Sequence, residues 1–165
     1  MKTSIIFAAA ASAASTAIEL AGASGTWTSP GYPAYKGNCH QRYYKAVGPK
    51  EVLVLDFEHV DIEFDESCTF DFLMINGQKI CQESGSNLET TITSTTASTT
   101  TTPYITEMQV VDSFKPLCLV EDLDALFHTD SIFNYAGFKI NWEIKDLCSY
   151  KCMQADILAK QAANC

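Results

Sequence analysis

The side chains of this chain that could do chemistry are carboxylates, imidazoles and thiols, and each group has an arrangement to test. The acids Asp61, Glu63 and Asp65 alternate as the first ligands of an EF-hand loop do. Position six of such a loop would be Glu66, where a glycine must turn the chain, and position twelve would be Phe72, where a bidentate glutamate is needed. Glu63 with Asp71 could imitate the paired carboxylates of a glycoside hydrolase. The imidazoles of His40, His59 and His128 form no His-Glu-x-x-His pair, and the chain holds no Gly-x-Ser-x-Gly elbow to present a nucleophile. His59 and His128 read as strand residues rather than catalytic loop residues. Cys148 and Cys152, four apart, could begin a zinc site, but no second pair of ligands matches them. These residues point away from an enzyme.

The N-terminus sets the expected compartment. Met1-Lys2 supplies a positive start, Ile5-Ile6-Phe7 and the following alanines an apolar stretch, and Ser15-Thr16-Ala17 the small residues a signal peptidase reads. Residues 1–17 therefore read as a signal peptide cut after Ala17. The stretch is too short and alanine-rich to span a bilayer about 30 Å thick, and Lys160 to Cys165 is no lipid-anchor signal. The remainder is long enough for one domain with one core, expected to be secreted and extracellular. A formal charge of -9 repels phosphate backbones and anionic membrane surfaces, which argues against nucleic acid and membrane insertion. It permits cations and basic protein patches as partners; the plain alternative is that acidity only maintains solubility. Seven cysteines in an exported chain imply disulfides, with one thiol left free or paired with another molecule.

The elements that must position these groups are mostly strands. Val52-Leu-Val-Leu-Asp-Phe57 follows a Gly48-Pro49 break. Phe70 to Ile75 ends at Asn76-Gly77, a two-residue hairpin signal, with Lys79-Ile80-Cys81 as the return strand. Gly137 to Ile144 alternates apolar and polar residues as a half-buried strand does. Many short strands separated by turns suggest a sandwich or barrel. Thr90 to Thr102 is threonine and serine except for Ile92 and Ala97, and reads as an O-glycosylated extended loop, with a threonine-rich edge strand as the alternative. No Asn-x-Ser/Thr acceptor is present, so N-glycans are not expected. Tyr150, Met153, Ile157 and Leu158 recur at helical spacing through Cys148 to Lys160, predicting a short amphipathic helix docked on its own sandwich.

Several motifs in order resemble the CUB domain family. Ser29-Pro-Gly-Tyr-Pro-Ala-Tyr35 resembles its opening Ser-Pro-Asn-Tyr-Pro-x-x-Tyr, one residue short. Phe57-Glu-His-Val-Asp-Ile-Glu63 resembles its strand ending in Asp-Ile/Leu-Glu, and Cys68-Thr-Phe-Asp-Phe-Leu-Met-Ile75 its Cys-x-Tyr-Asp-Tyr-Leu-x-Ile. Phe127-His-Thr-Asp-Ser131 and Gly137-Phe138 resemble the closing Phe-x-Ser-Asp and Gly-Phe. The resemblance implies an all-β, antiparallel jelly-roll β-sandwich over residues 18–145, with a Thr/Ser-rich insertion at about 84–115 and a cysteine-containing helical tail at 146–165. It also implies a disulfide between Cys68 and Cys81, which flank the hairpin. The family's first cysteine is absent, so Cys39 has lost its usual partner, and its Trp-x-Ile is replaced around Tyr43-Tyr44. Cys118 or Cys148 is the expected substitute partner for Cys39.

The resemblance further implies a calcium site. A subset of CUB domains binds Ca2+ through a glutamate and two aspartates with a tyrosine beside them, matched here by Glu63, Asp71, Asp130 and Tyr35. Hard oxygen ligands suit calcium, and three carboxylates without a cation would repel one another. Tyr35 would orient a carboxylate by a hydrogen bond, while a carbonyl near Ile132 or the Asn134 side chain through water would add ligands. Asp61, Asp65 and Glu66 read as solvated loop residues. The implied function is a secreted binding module that engages a lysine or arginine of an extracellular protein partner. The alternatives are a matrix, mucus or coat component forming a disulfide-linked oligomer through the odd thiol or Cys165, and a spermadhesin-like protein that binds a glycan.

Overall fold

In the computed structural model, residues 17–82, 116–152 and 154–165 are described. Residues 1–16, where a signal peptide is expected, residues 83–115, which include the threonine tract and the expected insertion, and Met153 lie outside them.

Turn chemistry and alternation build the strands. β1 (Ile18–Glu19), β2 (Ser24–Thr28) and β3 (His40–Lys45) precede the long β4 (Glu51–Asp61). β5 (Phe72–Ile75) and β6 (Gln78–Ile80) are joined by Asn76 and Gly77, whose φ angles of 46° and 85° are those of a hairpin turn twisted to match its strands. β7 (Leu117–Leu119), β8 (Leu123–His128) and β9 (Gly137–Asp146) complete two sheets, ordered β1-β3-β8-β5-β6 and β2-β9-β4-β7. Among the described residues every pairing is antiparallel except that of the short β1, which runs parallel to β3 with Ile18 opposite Tyr43. The resulting β-sandwich is the expected fold class, and its core holds Trp27, Leu53, Leu73, Phe127, Phe138 and Ile140 from both inner faces.

β4 explains the C-terminal tail. Leu53 and Leu55 face the core, and their neighbours Val52 and Val54 point to the opposite side yet are buried as well. An unbroken apolar run of this kind marks a strand covered on both faces. The cover is a second cluster in which Val52 and Val54 meet Cys118, Leu147, Cys152 and Ile157.

The helix is shorter and later than the spacing predicted. α1 covers Ala155–Asn164, not Cys148 onward, because the Asp146 carboxylate accepts the N–H groups of Cys148 and Ser149 at 3.1 and 3.0 Å. Such a side-chain turn competes with helix at the end of β9. Within α1, Ile157 is fully buried while Leu158 is half exposed.

The cysteines require a correction. Cys118 pairs with Cys152 and Cys148 with Cys165, so neither meets Cys39, which is a free thiol. Topology is the reason. Cys39 precedes β3 and packs on the main core, whereas Cys118 lies on β7 in the other sheet and faces the outer cluster. Cys68 and Cys81 are joined across the β5–β6 hairpin.

Candidate metal centre

Four separate segments converge at one end of the sandwich. Tyr35 comes from the loop after β2. That loop is fixed by Ser29, whose N–H donates to the Phe138 carbonyl and whose Oγ accepts the Phe138 N–H, and by the Tyr35 N–H bond to the Tyr135 carbonyl at 3.1 Å. A side chain on Gly137 would collide with Ser29 Oγ, and the φ of +92° there also favours glycine. The Tyr35 ring is 1 % exposed and stands edge-on to Phe127.

Glu63 lies two residues past the end of β4, beyond the fully buried Ile62, whose N–H donates to the Gln82 carbonyl at 2.8 Å. Asp71 is the residue before β5 and is fully buried. Asp130 follows β8, separated from it by the buried Thr129. One carboxylate oxygen from each of Glu63, Asp71 and Asp130 lies within 4.8 Å of the others.

Asp71 is the hub. Its Oδ2 accepts the Tyr35 hydroxyl at 2.6 Å and its Oδ1 accepts the Asp130 N–H at 2.6 Å. The Tyr35 hydroxyl in turn accepts the Glu63 N–H at 3.4 Å. Burial, and then the hydrogen bond to the Asp71 carboxylate, push that hydroxyl well above the usual tyrosine range, so it remains a donor.

The loop carrying Asp130 is held from the far side by Gly37 and Asn38. Asn38 has a φ of 60° and donates its N–H to the Asp130 carbonyl at 2.6 Å, and a side chain on Gly37 would lie 2.5 Å from that same carbonyl. This pair was missed in the sequence, although Gly-Asn is a turn signal that could have marked it. Ile132 donates its N–H to Asp130 Oδ1 at 2.8 Å, and both Ile132 and Asn134 are exposed. Asp61 and Asp65 stand outside the cluster: Asp61 accepts the Ala136 N–H, and Asp65 accepts the N–H groups of Ser67 and Thr69.

The donor set fits a hard dication. Ligands on opposite sides of a calcium ion, each 2.3–2.6 Å from it, are about 5 Å apart, and the three carboxylate oxygens fall within that span. All three donors are oxygens, whereas zinc and copper favour nitrogen or sulfur.

Two packed sheets with an oxygen-lined corner where four segments meet define a jelly-roll β-sandwich domain. No family model matches the chain. Cubilin of Sus scrofa is 30% identical over 135 residues, an alignment that takes in 75% of this chain and 3% of that protein. The chain thus spans a small fraction of the curated relative it matches. Among solved structures, the CUB1-EGF-CUB2 domains of rat MASP-1 superpose with a TM-score of 0.59 at 18% identity, covering 79% of this chain and 43% of that one. The MASP-1 CUB2 domain bound to Ca2+ gives a TM-score of 0.52 at 19% identity, covering 76% and 96%. The chain belongs to the CUB domain family.

Proposed function

We propose that this chain is a secreted, non-catalytic binding module whose acidic corner holds Ca2+ and engages a lysine or arginine of an extracellular protein partner. CUB domains are extracellular protein-binding modules. The observation that carries the calcium reading is the convergence of Glu63, Asp71 and Asp130 from three separate segments to within 4.8 Å, a close approach that like charges resist unless a cation joins them. The MASP-1 CUB2 domain of similar fold is a Ca2+-bound structure, which supports the same reading.

Glu63, Asp71 and Asp130 would hold the ion, with Tyr35 orienting Asp71 and a carbonyl near Ile132 or the Asn134 side chain completing the shell. Bound calcium supplies charge neutralisation and cross-links the loops. The chain's own part is to present carboxylate oxygens at the rim, where a partner's cation can form a charge-assisted hydrogen bond.

Thermal unfolding in millimolar calcium and in EDTA tests the ion. At about ten times a Kd in the range of extracellular sites, mass action adds roughly 1.4 kcal/mol, a rise of a few degrees. Glu63→Gln and Asp130→Asn should each abolish that rise. A wild type that melts identically in both conditions would remove calcium from the mechanism. For the partner, a lysine amide titrated into calcium-loaded chain should shift backbone resonances near residues 63 and 130–134, and should not in EDTA. Perturbations confined to other surfaces would reject the basic-residue reading.

A further inference from the structure

Two histidines meet across the outer face of the five-stranded sheet. His40 opens β3, His128 closes β8, and the two are direct partners in the antiparallel register. Such partners share one face with Cβ atoms about 5 Å apart. Their rings stand nearly perpendicular, at 80°, with the Nδ1 atoms 3.3 Å apart. Phe72, opposite His128 on β5, holds that ring from the other side at a centroid distance of 5.1 Å. The strands are pinned one residue away, where Thr129 donates its N–H to the Cys39 carbonyl at 3.0 Å and accepts the Cys39 N–H on Oγ1 at 2.9 Å. The pair therefore rests on fixed backbone.

We propose that His40 and His128 form a two-nitrogen chelate for a borderline transition-metal dication such as Cu2+, Ni2+ or Zn2+, distinct from the acidic corner. Two nitrogens bound to one zinc ion at about 2.0–2.1 Å with a tetrahedral angle stand about 3.3–3.4 Å apart, and the Nδ1 atoms already have that separation. With both rings neutral, one Nδ1–H can donate to the other Nδ1. On metal binding the donor ring changes tautomer, its proton moving through water to Nε2, so that both Nδ1 lone pairs face the ion. Imidazole nitrogen selects these metals, whereas calcium takes oxygen; the two sites divide hard from borderline cations. His40 is exposed and His128 half-buried, so water or a partner's donor can reach the ion.

The purified full-length chain, held in millimolar Ca2+ to fill any oxygen site, is titrated with Cu2+ and read by calorimetry and electron paramagnetic resonance. One Cu2+ per chain with coupling to two nitrogens is expected. His40→Asn and His128→Asn should each weaken binding by about tenfold or more, because each removes the chelate. His59→Asn should bind like wild type, its ring lying against Tyr32 instead. Undiminished binding in either pair variant, a one-nitrogen signal, or loss of binding in His59→Asn would overturn the assignment. A second reading needs no variant: Cu2+ should broaden the ring protons of two histidines in the wild type, and broadening of one alone would overturn it.

Discussion

The Tyr35 hydroxyl donates to Asp71 Oδ2 at 2.6 Å in a site where the carboxylate is fully buried and the phenol ring nearly so. The other oxygen of that carboxylate is taken by the Asp130 N–H, so one tyrosine fixes the orientation of a group that two loops share. Tyr35→Phe keeps the ring packing on Phe127 and removes this bond together with the longer one that the hydroxyl accepts from the Glu63 N–H. Leaving a buried carboxylate oxygen short of a donor should cost about 1–3 kcal/mol, read as a fall in melting temperature in EDTA. An unchanged melting temperature would show that Asp71 is oriented without the phenol.

The thiol of Cys39 should be slow to react. Burial pushes its pKa above the usual thiol range, so at pH 8 less of it is thiolate than in the unfolded chain. Alkylation by iodoacetamide, followed by mass spectrometry, should be several-fold slower in the folded protein than in urea, and should accelerate as pH climbs past the ordinary thiol range. Equal rates at pH 8 would contradict this. The same burial bears on cross-linking: Cys165, the thiol that suited a disulfide-linked coat, is paired with Cys148. A monomer is expected on a non-reducing gel, and a reducible dimer lost in Cys39→Ser would revive the matrix reading.

The tail should be part of the cooperative unit. Ile157 is fully buried against Val52 and Val54, so Ile157→Ala should cost about 2–5 kcal/mol. The Cys118–Cys152 bridge spans a sequence separation of 34, and its removal with paired alanines should cost about 4 kcal/mol on the loop-entropy model. Denaturant unfolding measures both. If each variant kept the wild-type midpoint, the tail would be an appendage.

Lys45 ties down the start of the domain. It is 9% exposed, and its Nζ donates to the carbonyl of Leu20 at 2.9 Å and to that of Gly22, while lying 4.8 Å from the Trp142 ring centroid. Lys45→Met leaves two carbonyls without their donor. Amide exchange at Leu20, whose N–H pairs with the Tyr44 carbonyl, should speed up well before exchange in β4 and β9 does. Uniform exchange across the sheet would mean that β1 is held by other contacts.

The legible parts of the sequence were those with local rules. Asn76-Gly77 specified its own hairpin, and the alternation from Gly137 placed β9 with its correct inward face. The acidic residues of the corner were not legible from spacing, because Glu63, Asp71 and Asp130 come from different segments; only their likeness to family motifs singled them out. The free Cys39 and the tail pairings could not be read at all, since the choice among seven thiols depends on which face of which sheet each one occupies. For the tail a local clue does exist: the apolar run at Val52–Leu55 requires a second cover, and the tail is the segment that provides it.

That cover has a consequence for how the molecule behaves beside copies of itself. Among the described residues β7 is the last strand of its sheet, and an outward backbone of this kind is ordinarily a template for a foreign strand. The Cys118 N–H instead donates to Gln154 Oε1 at 2.7 Å, and Lys160 donates to the Val120 carbonyl just beyond the strand. Side chains of the tail thus occupy a donor and an acceptor along this rim, and a foreign strand pairing there would first have to displace them.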